Sequence, residues 1–375
     1  MKVYKSLICG ILSLAFTSCQ ETLFEDLDSA SVDVVTNDNV KYEGNILTVK
    51  KNTPVDFQLN GNPDYITFYS GEFGHQYAYV DKTEYDAEDI EKMTFSFSLW
   101  SQYGDEYEKG VKGRLKVYYC AGEDETTAFP GLSKGDFEAD SILVETFPNW
   151  KLLTNDEELI TSSTHNDSGS AGAFSVDIPT DFYNKKLTLA IVRNPQNQLV
   201  GEEYVNKEGK KVTALQSTFN FQNMKIVTKL KNGTSVTTYA SAFGFTPLNM
   251  KNKTYFEDLE DSQFDLPADL EYGSVSANVS GYWNLSSIAS GTFSIRGCAL
   301  NSLWRYNWLV SDYINLLSKP VADVGVKVKD ISQSSSAYTY TYSNVGTYRA
   351  TFVLNNSNYE ESQQKLCEFI VNVVE

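Results

Sequence analysis

Val55-Asp-Phe-Gln-Leu-Asn-Gly-Asn-Pro-Asp-Tyr-Ile-Thr-Phe-Tyr-Ser-Gly-Glu72 and Tyr338-Thr-Tyr-Thr-Tyr-Ser-Asn-Val-Gly-Thr-Tyr-Arg-Ala-Thr-Phe-Val353 decide the fold. In the first, Val55, Phe57 and Leu59 alternate with polar residues and run into the turn Asn60-Gly61-Asn62-Pro63. In the second, Tyr338, Tyr340 and Tyr342 alternate with threonine before the turn Val345-Gly346-Thr347. A period of two puts alternate side chains on one face of a strand, and Gly, Asn and Pro close the turns between strands. Outward from these segments the pattern repeats. Phe95, Phe97 and Leu99 alternate with serines, Leu115, Val117 and Tyr119 with Arg114, Lys116 and Tyr118, and Cys367, Phe369, Val371 and Val373 mark a last strand. Leu187 to Val192 is apolar apart from Thr188, as expected of a strand buried on both faces. Lys112-Gly113 and Asn232-Gly233 supply further turns. No long helical period appears; Asp86–Met93 and Phe256–Asp261 are each predicted to form one or two helical turns. The chain is predicted to be mainly β, built from antiparallel sandwiches.

Of 375 residues, 49 are acidic and 31 basic, for a formal charge of −18. That sign excludes a nucleic-acid binder, which must neutralise phosphates with Lys and Arg. Hydrophobic residues at 41% and aromatics at 13% suffice for a packed core rather than a disordered chain. The two histidines, His75 and His165, are too few for a three-His zinc site, and each would need an adjacent nucleophile to act as a triad base. Signatures of hydrolases, zincins, P-loops and dinucleotide folds are absent from the sequence. A non-enzymatic protein is expected. The alternative is a hydrolase working through two of the many carboxylates.

Met1 to Lys5 carries two positive charges, Leu7 to Phe16 is a short apolar run, and Thr17-Ser18-Cys19 follows. Such a run is too short for a permanent membrane helix. Small residues before a cysteine resemble the lipobox of bacterial lipoproteins, which implies a signal peptide over residues 1–18, acylation of Cys19 and a mature charge of −20. Residues 19–42 are acid-rich and lack a base until Lys41, which predicts a solvated tether. The acidic stretch resembles the surface-export signal of gut-commensal Gram-negative lipoproteins, implying an outer-membrane protein facing the cell exterior; a periplasm-facing spacer is the alternative. Cys120, Cys298 and Cys367 allow at most one disulfide, and their apolar settings favour buried thiols.

The segment 55–72 resembles the opening hairpin of an immunoglobulin-like sandwich of the polycystic-kidney-disease (PKD) type, and 338–353 its closing hairpin, with Gly346-Thr347-Tyr348 intact. The resemblance implies one PKD/immunoglobulin-like sandwich from residues 43–84 and 311–375, split by an inserted jelly-roll-like domain over 85–310. Two truncated sandwiches would leave unpaired edges. Together with Asn307-Trp-Leu-Val-Ser311 and Ile314-Asn-Leu316, these stretches resemble the lipoprotein family catalogued as domain of unknown function 5017. Resemblance to that family implies glycan handling within a polysaccharide-utilisation system, in the company of an outer-membrane transport complex. It brings no catalytic residues.

All five tryptophans fall in the insert. Sugars are held by aromatic faces with polar side chains reading the hydroxyls. In Trp304-Arg-Tyr-Asn-Trp308, an extended strand puts Trp304, Tyr306 and Trp308 on one face at about 6.6–7 Å per step. Either that face is a sugar platform or it packs one sheet on another. Trp150, after Phe147-Pro148-Asn149, stands in a turn-like setting. The ligand-binding candidates are therefore Trp150, Trp304 and Tyr306, for a glycan whose neutrality suits the negative chain. The acidic clusters Asp81–Glu91 and Glu257–Glu271 read as solvated loops, with structural calcium the alternative; no cofactor is otherwise expected. His75 reads as a loop hydrogen-bonding residue. A structural or adhesive surface protein is the competing function, favoured where the tryptophans are buried.

Overall fold

The computed structural model describes residues 26–103, 111–161, 165–194, 203–205, 209–213, 215–250, 268–299, 306–319, 322–359 and 361–375. Cys19, the predicted turns at Phe256–Asp261, Trp304 and the side chain of Cys298 lie outside the described residues. The chain divides into two units, one from its two ends, up to Lys82 and from Val321, and one from Thr83–Pro320.

In the unit made by the ends, β1 (Ser31–Val34), β4 (Pro54–Asn60) and β22 (Ala337–Thr341) form one sheet with β4 in the centre. The facing sheet has the order β2 (Val40–Glu43), β3 (Ile46–Lys50), β24 (Ser362–Val374), β23 (Gly346–Ser357), β5 (Tyr65–Tyr69), β21 (Val326–Lys329). Distant segments are thus direct neighbours. Tyr338 pairs with Phe57 and Tyr340 with Val55, while Phe352 pairs with Phe68 in the other sheet. Phe57, Phe68, Phe352 and Phe369, all inward members of alternating strands, fill the space between the sheets. The ring centroids of Phe68 and Phe352 are 4.6 Å apart and those of Phe57 and Phe352 4.9 Å. Tyr342 is fully buried, and its hydroxyl donates to the Ser70 carbonyl at 2.9 Å. Joining such distant segments adds little chain entropy, because closure cost grows only logarithmically with loop length.

The predicted acidic tether needs correction. From Leu27 onward residues 19–42 are part of this sandwich, and Leu27, Ala30, Val32 and Val40 are buried in its core. Asp33 alternates with Val32 and Val34 along β1, so acids and core residues share one strand on opposite faces. Counting charge hid that alternation. The second boundary also moves, from 310 to 320. Ile314 donates its N–H to the Leu187 carbonyl and Tyr85 donates to that of Leu317, so residues 311–319 belong to the insert.

Within the insert, one sheet has the order β17 (Trp283–Asn284), β18 (Phe293–Ile295), β14 (Thr218–Leu230), β6 (Ile90–Gln102), β9 (Gly172–Asp177), with β15 (Ser235–Tyr239) also on β14. The second has the order β16 (Thr246–Met250), β20 (Tyr306–Val310), β10 (Lys186–Arg193), β7 (Leu115–Gly122), β8 (Lys151–Asn155). Two short ladders, β11 (Glu203–Val205) on β12 (Lys211–Thr213) and β13 (Leu215–Gln216) on β19 (Cys298–Ala299), stand apart. Strand β10 is buried along nearly its whole length. Leu187 and Leu189 share an apolar cavity with Phe95 of the facing sheet, while Ala190 and Val192 pack beneath a helix, α1 (Phe137–Thr146). Sheet, sheet and helix make three layers here, so the continuous apolar run of β10 has apolar neighbours on both sides.

Helix α1 escaped the sequence reading. Phe137, Leu143 and Val144 face the sheet while Ile142 is half exposed, so no regular stripe marks it. The Asp136 carboxylate caps its N-terminus, accepting from the Ala139 N–H at 3.0 Å. Asp86–Met93 contributes one 3-10 turn, Ala87–Asp89, and then enters β6.

Candidate functional site

Two aromatic regions of the insert compete as sites. The first contains Trp150 and Tyr306. Alternation along β20 puts Tyr306 and Trp308 on one face, and Trp150 meets them from the β8 side, its ring 6.3 Å from that of Trp308. Phe129 and Phe147 lie 4.9 and 5.3 Å from the Trp150 ring. The indole N–H of Trp150 donates to the Val144 carbonyl at 3.0 Å, and the Tyr306 hydroxyl to Glu145 at 2.7 Å. Both partners belong to α1, so these two half-buried residues dock the helix on the sheet. Trp308 is 6% exposed. The structure does bring Trp150 and Tyr306 together, but as the flank of a core cluster.

The second region lies on the outer face of the other sheet. Along β6, Phe95, Phe97 and Leu99 point inward and Ser96, Ser98 and Trp100 outward. Trp100 pairs with Asn220, Asn220 with Ser294, and Ser294 with Asn284. Directly paired residues share a face, so these four side chains form one row across β6, β14, β18 and β17. They line a cleft of about 180 Å³ together with Gln222, Ser286 and Thr292.

The loop between β17 and β18 forms the wall of that cleft. The Asn284 carboxamide accepts from the Ser286 N–H at 3.1 Å and from its hydroxyl at 2.7 Å, fixing the turn. Gly291, at φ +72°, lies against β14 where the ladder is irregular between Gln222 and Lys225, and the Met224 N–H donates to its carbonyl at 2.9 Å. A Cβ on Gly291 would stand 2.5 Å from Met224 backbone atoms, so only glycine permits this approach. Register irregularities of this kind re-aim strands beside sites.

Electrostatically the regions differ. No titratable side chain lines the cleft among the described residues. Within α1, burial opposes ionisation of Asp140, yet hydrogen bonds from Ser133, Tyr272 and Lys134 outweigh it and hold the carboxyl below its usual range. At the start of β7, burial pushes the Asp156 carboxyl up to about 6 against N–H bonds from Leu115 and Arg114.

His165 does have a hydroxyl beside it, the Ser101 Oγ at 2.7 Å from Nδ1. Ser101 is wholly buried under the Asn166 turn, whose N–H donates to the Ser101 carbonyl. The pair secures that loop, with no approach for a substrate to the hydroxyl. His75 Nδ1 is 2.7 Å from the Val324 carbonyl, within a loop where the Gly71 N–H donates to the His75 carbonyl. Among the described residues, no group of three His, Cys, Asp or Glu side chains is placed to hold a metal. The Asp81–Glu91 cluster lies within this description, whereas residues 257–267 of the second cluster lie outside it. Cys120 and Cys367 are free thiols, both with the pKa raised by burial. No helix among the described residues is long and apolar enough to cross a membrane.

Sequence reasoning missed Trp100 and its row. A signal for Trp100 was present: a tryptophan in register with the outward serines of β6, opposite the buried Phe95, Phe97 and Leu99. Asn220 and Gln222 likewise flank the buried Phe221 on β14. Asn284 and Ser294 carried none, since only strand pairing puts them in line with Trp100.

Fold and site together define a mainly β protein of two sandwich units with an uncharged, tryptophan-floored cleft on one sheet face. The family model described as "Domain of unknown function (DUF5017)" matches residues 18–244, and the chain belongs to that family. The match includes β6 and β14 but ends before Asn307–Ser311, Ile314–Leu316 and the closing hairpin, all of which contributed to the sequence resemblance. No curated protein and no solved structure matches the chain.

Proposed function

We propose that this protein is a lipid-anchored surface protein of the outer membrane that holds neutral glycans without cleaving them, as part of a polysaccharide-utilisation system. The observation that supports this reading is the chemistry of the Trp100 cleft. An indole surrounded by amides and hydroxyls, with no charge among its lining, suits a ligand that offers C–H faces and neutral hydroxyls. General acid–base or nucleophilic cleavage needs a titratable group at the site, and the described lining has none. The anchor rests on Thr17-Ser18-Cys19.

Two experiments test it. Full-length protein in detergent should be retarded in native gels containing neutral polysaccharides while releasing no reducing ends from them. Lack of retardation by every neutral polysaccharide would sink the glycan reading, and turnover abolished by replacing one carboxylate would promote the hydrolase. Cys19→Ala should move the protein from the membrane to the soluble fraction; a mutant that still needs detergent refutes the anchor. The runner-up is a structural or adhesive surface protein, favoured by the burial of Trp283 and Trp308 at 0% and 6% exposure.

A further inference from the structure

We infer that the row Trp100–Asn220–Ser294–Asn284 seats an internal stretch of an uncharged polysaccharide, laid across the strands rather than inserted by its end. This rests on the glycan-binding reading and assigns its site and mode.

Register gives the direction. Each residue of the row sits directly opposite the next, so the four side chains leave the sheet along a line perpendicular to the strands. With strands about 4.8 Å apart, three steps span about 14 Å, longer than one pyranose ring. Volume gives the mode. The cleft holds about 180 Å³, whereas pockets that engulf a small ligand hold about 300–1,000 Å³. A site this shallow grips one side of a chain and leaves the rest outside. The neighbouring row on the same face starts with Ala173 opposite Ser98, small side chains that leave a path beside Trp100. The β17–β18 loop walls the other end, where Asn284 and Ser286 offer polar contacts.

The floor is also incompletely satisfied. The Trp100 indole nitrogen and the Asn220 amide nitrogen have no hydrogen-bond partner within the protein. Stacking on the indole fixes one ring, and the amides and hydroxyls farther along the row read the following units. The uncharged lining selects against uronic-acid chains, which the −18 charge of the protein also repels.

The test is calorimetric titration of detergent-solubilised full-length protein with malto-, cello-, xylo- and manno-oligosaccharides of two, four and six units. Oligogalacturonates serve as the anionic control. In at least one neutral series affinity should rise about tenfold or more from two to six units, and borohydride reduction of the six-unit chain should change it less than about twofold. Trp100→Ala should lower six-unit affinity about tenfold or more. Asn284→Asp, which keeps the acceptor for Ser286 and removes the amide donor, should lower it about threefold. Trp100→Phe keeps a ring and a folded site, and should lie between wild type and Trp100→Ala. Equal affinity for two and six units, or loss on end reduction, overturns the internal-chain mode. Tighter binding of oligogalacturonate than of any neutral series overturns the ligand class. Binding that survives both Trp100→Ala and Asn284→Asp overturns the site while leaving glycan binding intact, and absence of binding in every series removes the reading on which the inference rests.

Discussion

Trp100 and Trp150 are both half-buried tryptophans of the same unit, yet their surroundings have opposite character. Trp150 is held among Phe129, Phe147 and Trp308, and its indole N–H is satisfied by a carbonyl of α1. Trp100 stands in a row of amides and hydroxyls, and its indole N–H has no protein partner. The cause is coverage. Helix α1 lies over one face of the β20 sheet and turns its aromatics into core, whereas the outer face of the β6 sheet carries polar side chains around Trp100. An aromatic residue becomes a platform or a packing element according to what the rest of the chain lays over it.

The contrast is best attacked where it predicts the largest loss. Trp308→Ala removes the centre of the covered cluster and should cost about 3–5 kcal/mol in urea unfolding of the insert. A loss below about 1 kcal/mol would mean that α1 does not seal that face.

Acidity offers a second test, because the buried acid Asp156 lies at an end of the covered sheet and the cleft lining has none. Its carboxyl is raised from 3.8 to about 6 in the folded protein, so between these pH values the native state binds more protons than the unfolded chain. Stability from this group is therefore full below pH 3.8 and is lost as pH rises through 6, amounting to roughly 3 kcal/mol. Wild type should lose stability relative to Asp156→Asn over that interval, as measured by urea unfolding at successive pH values. Parallel curves for the two proteins would show that Asp156 is not the source. Glycan affinity at the Trp100 cleft should stay flat from pH 5 to 8, provided the fold persists.

Smaller effects sharpen the comparison further. Trp150→Phe deletes the indole N–H bond to α1 and part of a packed ring, and should cost about 1–3 kcal/mol. Trp100→Phe deletes an N–H that the protein leaves unpaired, and should change stability by no more than about 0.5 kcal/mol while weakening glycan binding. Equal destabilisation by these two substitutions, compared by thermal and urea unfolding, would erase the distinction between covered and open tryptophans.

Several of these elements were legible in the chain. The alternation around Val55–Leu59, Phe95–Leu99 and Tyr338–Tyr342 predicted strands, because a pleated strand with one buried face imposes a period of two on its residues. The apolar run Leu187–Val192 predicted a strand covered on both sides, and β10 lies between a facing sheet and α1. Hydropathy failed where a segment carries two messages at once. Residues 31–34 hold an acid and two valines, and their charge concealed a strand that pairs with β4. Helix α1 lacks a stripe because tertiary contact uses only part of its surface, leaving Ile142 half exposed.

Local periodicity thus determined the β character of this protein and, through the outward register of Trp100 on β6, one residue of its candidate site. Pairing and coverage were decided by the tertiary structure alone. Asn284 and Ser294 join Trp100 only because β17 and β18 add to the edge of β14, and Trp150 becomes a packing residue only because α1 settles over it. The physical reason is range: side-chain alternation is fixed by neighbouring peptide units, while the neighbour across a ladder or above a sheet is chosen by the burial and hydrogen bonding of the whole unit.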